Sequence, residues 1–377
     1  MKNKSLVLYL IITLLLIVGC KPSSRDLKIY YLKEGKICNE NILLDFIDKE
    51  GNIHSPYIDT IKFSYLDSIS YPDMNPDRDE HHTTPYVLNF SKKIKSYSPE
   101  YYTAYTIYNI IKVIEYYNHL FDNKIDFNTQ KEFKTIDVII GDIPLFTHPN
   151  SYIFEKNSNP SPSLFSHEIG HRAFWYIEGE LGIKFNGLSV IHMGLLEYFT
   201  VSFNNSSVVG EDFLPQKLIR DASQLYKYPL DSSFTLRNTL RLMEESFPTK
   251  IQNPRSNISK YLSACYVSYN DYILDNIYDN HRGGMVLTST LWRIREQIGQ
   301  DKTDKLVAQT ILNLNNYLNK RMEFYQSAEA EQQNMIDWCD VFYGLIQKDK
   351  ELFGGQNIQV IINQFVRTGY PIDVVKY

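Results

Sequence analysis

The sequence predicts an α+β protein, with a small β-containing N-terminal lobe and a mainly helical C-terminal lobe, on three observations. Residues 21–98 carry short alternating apolar and polar stretches, a helix-start signature follows at Ser98-Pro99-Glu100, and beyond about residue 205 apolar residues recur at helical spacing. The 377 residues suffice for about two domains or two lobes of one enzyme, and 22% charged with 43% hydrophobic residues excludes a disordered or fibrous chain. The net charge, 39 − 44 = −5, leaves no basic surplus to neutralise phosphates, so nucleic acid is not an expected partner. The 29 tyrosines and 20 phenylalanines suit large half-buried surfaces and clefts.

Residues 1–19 read as a lipoprotein signal peptide. Lys2 and Lys4 precede a 15-residue apolar run over residues 5–19, which is shorter than the roughly 18 residues a membrane span requires. Gly19 before Cys20, with branched apolar residues ahead of them, resembles the lipobox of bacterial lipoproteins. That resemblance implies an acylated Cys20 as the first mature residue and a lipid-anchored, extracytoplasmic location in a bacterial cell envelope. The membrane is then a partner through Cys20. Cys38, Cys265 and Cys339 are an odd remainder without CxxC spacing, so neither a disulfide framework nor a thiolate zinc site is indicated.

Residues 20–98 form a β-rich segment or tether. Strands are expected at Lys62-Phe63-Ser64-Tyr65-Leu66 and at Tyr86-Val87-Leu88-Asn89-Phe90, separated by the polar stretch 72–82. His81 and His82 stand there beside Asp77, Asp79 and Glu80; adjacent histidines point apart, and the group reads as solvated loop charge. Residues 99–204 open with Ser98 as N-cap, Pro99 at the first helical position and Glu100 facing the helix dipole. Tyr101, Tyr105, Tyr108, Ile111 and Ile114 then carry a helix to about Leu120. Strands are expected at residues 136–140 and 151–154. Residues 205–377 read as helices, notably 284–298 closed by Gly299, 302–322, and 358–368 closed by Gly369.

The chemistry lies in the middle of the chain. His167-Glu168-Ile169-Gly170-His171 is an HExxH motif. On a helix the two imidazoles stack one turn apart, about 6 Å from each other, and reach one ion. Glu168, about 100° around the helix from His167, faces water at that ion without ligating it. Catalytic zinc takes three protein ligands and keeps one position open. The extended HExxHxxGxxH form fails, because Phe174 and Ile177 occupy its glycine and third histidine positions. Glu197, 197 − 171 = 26 positions after His171, sits in the apolar stretch Gly194-Leu195-Leu196-Glu197-Tyr198-Phe199. A buried acid is costly unless paired or ligating, so Glu197 is the expected third ligand, with His192 as the competing donor.

These residues resemble the gluzincin metallopeptidases, the thermolysin and fungalysin group. HEIGH followed by GLLEYF matches their active-site helix and the helix bearing the third ligand. Asp279-Asn280-His281-Arg282-Gly283-Gly284, followed by Leu291-Trp292, is similar to their histidine segment. The resemblance covers roughly residues 99–370 and implies a zincin-like fold, a zinc cofactor and a peptide or protein substrate. It further implies that His281 donates a hydrogen bond to the oxyanion and that Asp279, or alternatively Asp275, orients it. Residues 151–154, with Tyr152 and Ile153, resemble the edge strand that pairs with substrate backbone. From the residues alone, Tyr198 or Tyr176 is a candidate second donor, with a structural role as the favoured alternative for either in a chain of 29 tyrosines.

The expected activity is hydrolysis of peptide bonds, as an endopeptidase at the extracytoplasmic membrane surface. Glu168 takes a proton from water and passes it to the leaving amine, while the developing oxyanion is met by zinc and His281. The alternative is a zinc-binding surface lipoprotein with a peptidase-like fold that no longer cleaves. No dense acidic loop of the kind calcium requires is present.

Overall fold

The computed structural model describes residues 26–33, 36–43, 45–48, 52–66, 83–90, 94–124, 134–141, 145–148, 151–155, 157, 161–183, 185, 190–210, 219–230, 238, 241–242, 280–324 and 335–372. The expected signal peptide and Cys20, together with His81, His82, Cys265, Asp275 and Asp279, lie outside the described residues. No helix among the described residues is long and apolar enough to cross a membrane.

The architecture is mixed and mostly helical, compatible with an α+β class. Strands β1 (Asp26–Lys33) and β2 (Lys36–Leu43) form an antiparallel hairpin. The main sheet contains β3 (Thr60–Leu66), β4 (Thr83–Pro85), β5 (Thr135–Gly141), β6 (Leu145–His148) and β7 (Ser151–Glu155), in the order β4-β3-β5-β7-β6. The three inner strands are parallel to one another, and β4 and β6 flank them antiparallel. Ile136, Val138 and Ile140 on one face of β5 and Ile139 on the other are buried, so both faces of this strand carry apolar contacts.

Helix α1 (Pro99–Leu120) starts as its sequence dictates, with the Ser98 hydroxyl accepting the Tyr101 N–H and Glu100 in the first turn. Its tyrosines bind it to the sheet: the Tyr102 ring stacks on Phe154 of β7 at 5.1 Å, and Tyr105 meets Phe165 edge-on at 5.3 Å. Phe165 belongs to α2 (Pro162–Leu181), which is capped by the Ser161 hydroxyl and ended by Gly182 in the left-handed region at φ 59°. Next come α3 (Val190–Phe203) and the short antiparallel pair β8 (Val208–Val209) and β9 (Arg220–Asp221). The C-terminal helices are α4 (Asn280–Ile298), α5 (Gln300–Ile311), α6 (Leu314–Phe324), α7 (Trp338–Phe353) and α8 (Ile358–Arg367).

Helices α3 and α4 meet backbone to backbone. A Cβ on Gly194 would lie 2.9 Å from the Gly284 carbonyl oxygen, and one on Gly284 would lie 2.8 Å from the Gly194 nitrogen. The Thr288 hydroxyl donates to the Gly194 carbonyl at 2.9 Å across the same crossing. The glycine of the Gly-Leu-Leu-Glu stretch and the second glycine of the His-Arg-Gly-Gly stretch are therefore a packing pair. One helical turn from this crossing, Glu197 on α3 and His281 on α4 face each other.

Four expectations about elements are corrected. The division expected at residue 98 cuts through one sheet, because β3 and β4 pair into the same layer as β5, and one apolar core runs from Phe46 to Tyr370. The strand expected over residues 86–90 gives way after Pro85 to a segment whose Asn89 N–H is taken by Glu100 Oε1 at 3.0 Å, turning the chain towards α1. The single helix expected over 302–322 is two, α5 and α6. At the break, Asn313 bonds through its amide to the Gln309 carbonyl and through its backbone N–H to Thr310, drawing the ladder into a tight turn. The region after 205 is not purely helical, since β8, β9 and an irregular stretch 222–230 precede α4.

Candidate metal centre

His167 and His171 lie one turn apart on the inner face of α2, their ring centroids 4.6 Å apart and nearly perpendicular. His167 is 0% and His171 8% exposed. From the first turn of α4, His281 brings its ring to 5.1 Å from His167 and 6.2 Å from His171. One ligand atom of each of these three histidines lies within 4.8 Å of the others, so the trio forms a candidate cation site among the described residues.

Glu197 reaches the same centre from α3 and is completely buried. Its Oε2 approaches His167 Nδ1 at 3.3 Å, and its Oε1 lies 3.7 Å from His281 Nδ1. Arg220, from β9, closes the arrangement with its Nη1 at 2.5 Å from Glu197 Oε1 and 2.8 Å from His281 Nδ1. The sequence offered no motif for Arg220: it is an isolated basic residue without a recognisable spacing to the histidines, and the structure places it on β9, paired with β8.

The electrostatics follow from burial and this one cation. Burial would raise the Glu197 carboxyl, but Arg220, aided by His167 and His281, outweighs it and holds Glu197 well below the usual carboxylate range. Burial lowers His167 to about 4, against the opposing pull of Glu197. Burial and the neighbouring histidines hold His171 well below its ordinary value. Both imidazoles are therefore neutral at neutral pH, the form that ligates metal. Glu168 is partly buried beside them. Burial pushes its carboxyl up to about 8, with Arg220 pulling it down and Glu197 pushing it further up.

Other expected site residues stand elsewhere. Tyr198 is not a substrate contact: it is 0% exposed, and its hydroxyl donates to Asp304 Oδ1 at 2.6 Å. It lies one residue beyond Glu197, and on a helix that turns it about 100° away. Tyr152 and Ile153 are not on an edge strand, because β7 is paired with β5 on one side and β6 on the other. The Tyr152 ring is buried against Phe165 at 5.1 Å, and its hydroxyl engages Arg172. Among the described residues, the edge on that side of the sheet is β6. Tyr176 is buried in the core. His192, the competing ligand, pairs through Nδ1 with Glu178 of α2 and packs its ring against Phe174 and Phe185.

The chemistry of the donor set fits a metal ion. Both ring nitrogens of His167 and Nδ1 of His171 are buried without a hydrogen-bond partner, since the approach of Glu197 is close in distance but lacks hydrogen-bond geometry. Such groups are costly to leave unsatisfied, and a borderline cation with nitrogen and oxygen ligands satisfies them. No protein-family model matches the chain, and no curated protein aligns with it significantly.

Proposed function

We propose that the chain is a zinc-dependent peptidase of the gluzincin type its motifs resemble, acting at an extracytoplasmic membrane surface through a lipid on Cys20. The observation that carries this reading is the pair of buried imidazoles one turn apart, both ring nitrogens of His167 and Nδ1 of His171 without a hydrogen-bond partner, with the buried Glu197 carboxyl beside them. His167, His171 and Glu197 would hold the ion, a ligand set with a position left open for water. Zinc, when bound, supplies Lewis acidity and lowers the pKa of water.

The remaining work falls to the chain's own residues. Glu168 adjoins His167 and lies near enough to Arg220 and Glu197 for their charges to act on its carboxyl. A cation beside it favours its carboxylate form, from which it accepts a proton from water and returns it to the leaving amine. His281, 40% exposed in its side chain, meets the carbonyl oxygen from the open side as a hydrogen-bond donor. The backbone of β6, whose outer edge has no strand partner among the described residues, supplies a surface on which an extended peptide adds as a strand. Its neighbour β7 packs Tyr152 and Phe154 on Phe165, two residues before His167, which ties that edge to the metal-bearing helix.

Zinc analysis of chelator-free protein, combined with digestion of a mixed peptide library, tests the reading on wild type and Glu168→Gln. The expected result is zinc in both and cleavage by wild type alone. Zinc without cleavage in wild type would favour a surface protein that binds zinc and no longer cleaves, and absence of zinc would remove both readings.

A further inference from the structure

Arg220 touches the two groups whose roles are hardest to separate, and its chemistry separates them. A guanidinium carries only N–H donors and stays protonated. With Arg220 Nη1 at 2.8 Å from His281 Nδ1, that ring nitrogen must be the acceptor. The competing arrangement, Nδ1–H donating to Glu197, fails twice: the separation from Oε1 is 3.7 Å, beyond a hydrogen bond, and the proton would face an Arg220 N–H. A neutral imidazole has one ring proton, so accepting at Nδ1 leaves it on Nε2.

We infer that Arg220 is a positioning residue that fixes His281 as its Nε2–H tautomer, making His281 a hydrogen-bond donor and removing it from the metal ligands. The consequence reaches the whole centre. Three histidines lie close enough for a three-imidazole site, yet a nitrogen that carries a proton has no lone pair for a metal. The third ligand is then Glu197, whose Oε1 is held by Arg220 and whose Oε2 lies nearest His167. An acid at Nδ1, the arrangement expected for Asp279 or Asp275, makes the opposite demand, since a carboxylate accepts and requires Nδ1–H. A cation in that place keeps the donor on Nε2 without needing a second proton on the ring.

The assignment of His281 as a useful donor rests on the proposed peptidase reading, but the tautomer is measurable without metal or activity. The full chain, labelled with nitrogen isotope in histidine, is observed by long-range proton–nitrogen NMR, with His281→Gln identifying the signals. The expected pattern for His281 is pyrrole-type Nε2 and pyridine-type Nδ1, and a pyrrole-type Nδ1 would overturn the inference. In the cadmium-substituted protein, coupling to cadmium is expected at His167 and His171, and coupling at His281 would also overturn it. Arg220→Met is expected to mix the tautomers and lower kcat on the order of tenfold to hundredfold with little change in KM, while Arg220→Lys, which keeps a donor, restores the Nε2–H form. An active zinc peptidase with Nδ1–H would refute the inference and spare the function. A metal-free, inactive protein with Nε2–H would do the reverse.

Discussion

Two carboxylates are buried at α3, Glu197 on the helix and Asp304 bonded to Tyr198 and Ser202 of it, and they are treated in opposite ways. Asp304 of α5 is 3% exposed and accepts from Tyr198 at 2.6 Å, from Ser202 at 2.7 and 2.8 Å, and from Tyr116 at 3.1 Å. Its partners are hydroxyls from α1 and α3, and burial, only partly offset by these bonds, raises its pKa. Glu197, the residue before Tyr198, meets a guanidinium and two imidazoles instead and is held ionised. Around Asp304 the donors match the acceptors, and the cluster ties three helices together. Around Glu197, histidine nitrogens remain without partners. A buried polar group that is fully satisfied specifies packing, whereas one that leaves neighbours unsatisfied is arranged for something that arrives later.

The sharpest break in that comparison comes from Glu168, which only the second centre uses. Glu168→Gln is expected to lower turnover by about 10²–10⁴-fold while zinc content stays unchanged, and undiminished cleavage would take Glu168 out of the reaction. The pH response of the metal-free protein comes next. Burial lowers His167 from its ordinary 6.5 to about 4 in the folded state, so between these values the unfolded chain holds more protons. Stability therefore falls as pH drops from about 6.5 to about 4, by at most about 3 kcal/mol from this residue. Urea melts of wild type and His167→Asn across that range check this, and identical slopes would contradict it.

Smaller effects belong to the scaffold. Gly284→Ala forces a Cβ against the backbone of α3 and is expected to cost about 1–3 kcal/mol, with zinc affinity falling as Glu197 and His281 separate. A melt equal to wild type would show the crossing to be loose. Asp304→Asn replaces an acceptor with a group that repels one of its hydroxyl donors, at about 1–2 kcal/mol, and is expected to leave zinc content intact. Loss of zinc in this variant would merge the two carboxylates into one functional unit.

What could be read from the sequence was local. The four-residue spacing of His167 and His171 puts both imidazoles on one side of a helix, and that helix is found over Pro162–Leu181, with Ser161, expected in a loop, as its cap. Ser98-Pro99-Glu100 marks the start of α1 in the same way. Glu197 was legible because an acid among large apolar residues needs a reason. What was not legible depends on pairing across distance. The inner position of β7 follows from β6 folding back beside it, which no alternation in residues 151–154 reveals. Arg220 acts only because a two-residue strand holds it under the histidines. Tyr198 looked like a donor to substrate because nothing in its own helix shows that Asp304, on α5, lies behind it.

The most direct test of the central claim is the zinc content of wild type, Glu197→Gln and Asp304→Asn after dialysis against trace zinc, with folding checked by circular dichroism. The expected result is stoichiometric zinc in wild type and Asp304→Asn and its loss from folded Glu197→Gln. Full zinc retained by Glu197→Gln would contradict a centre built from His167, His171 and Glu197.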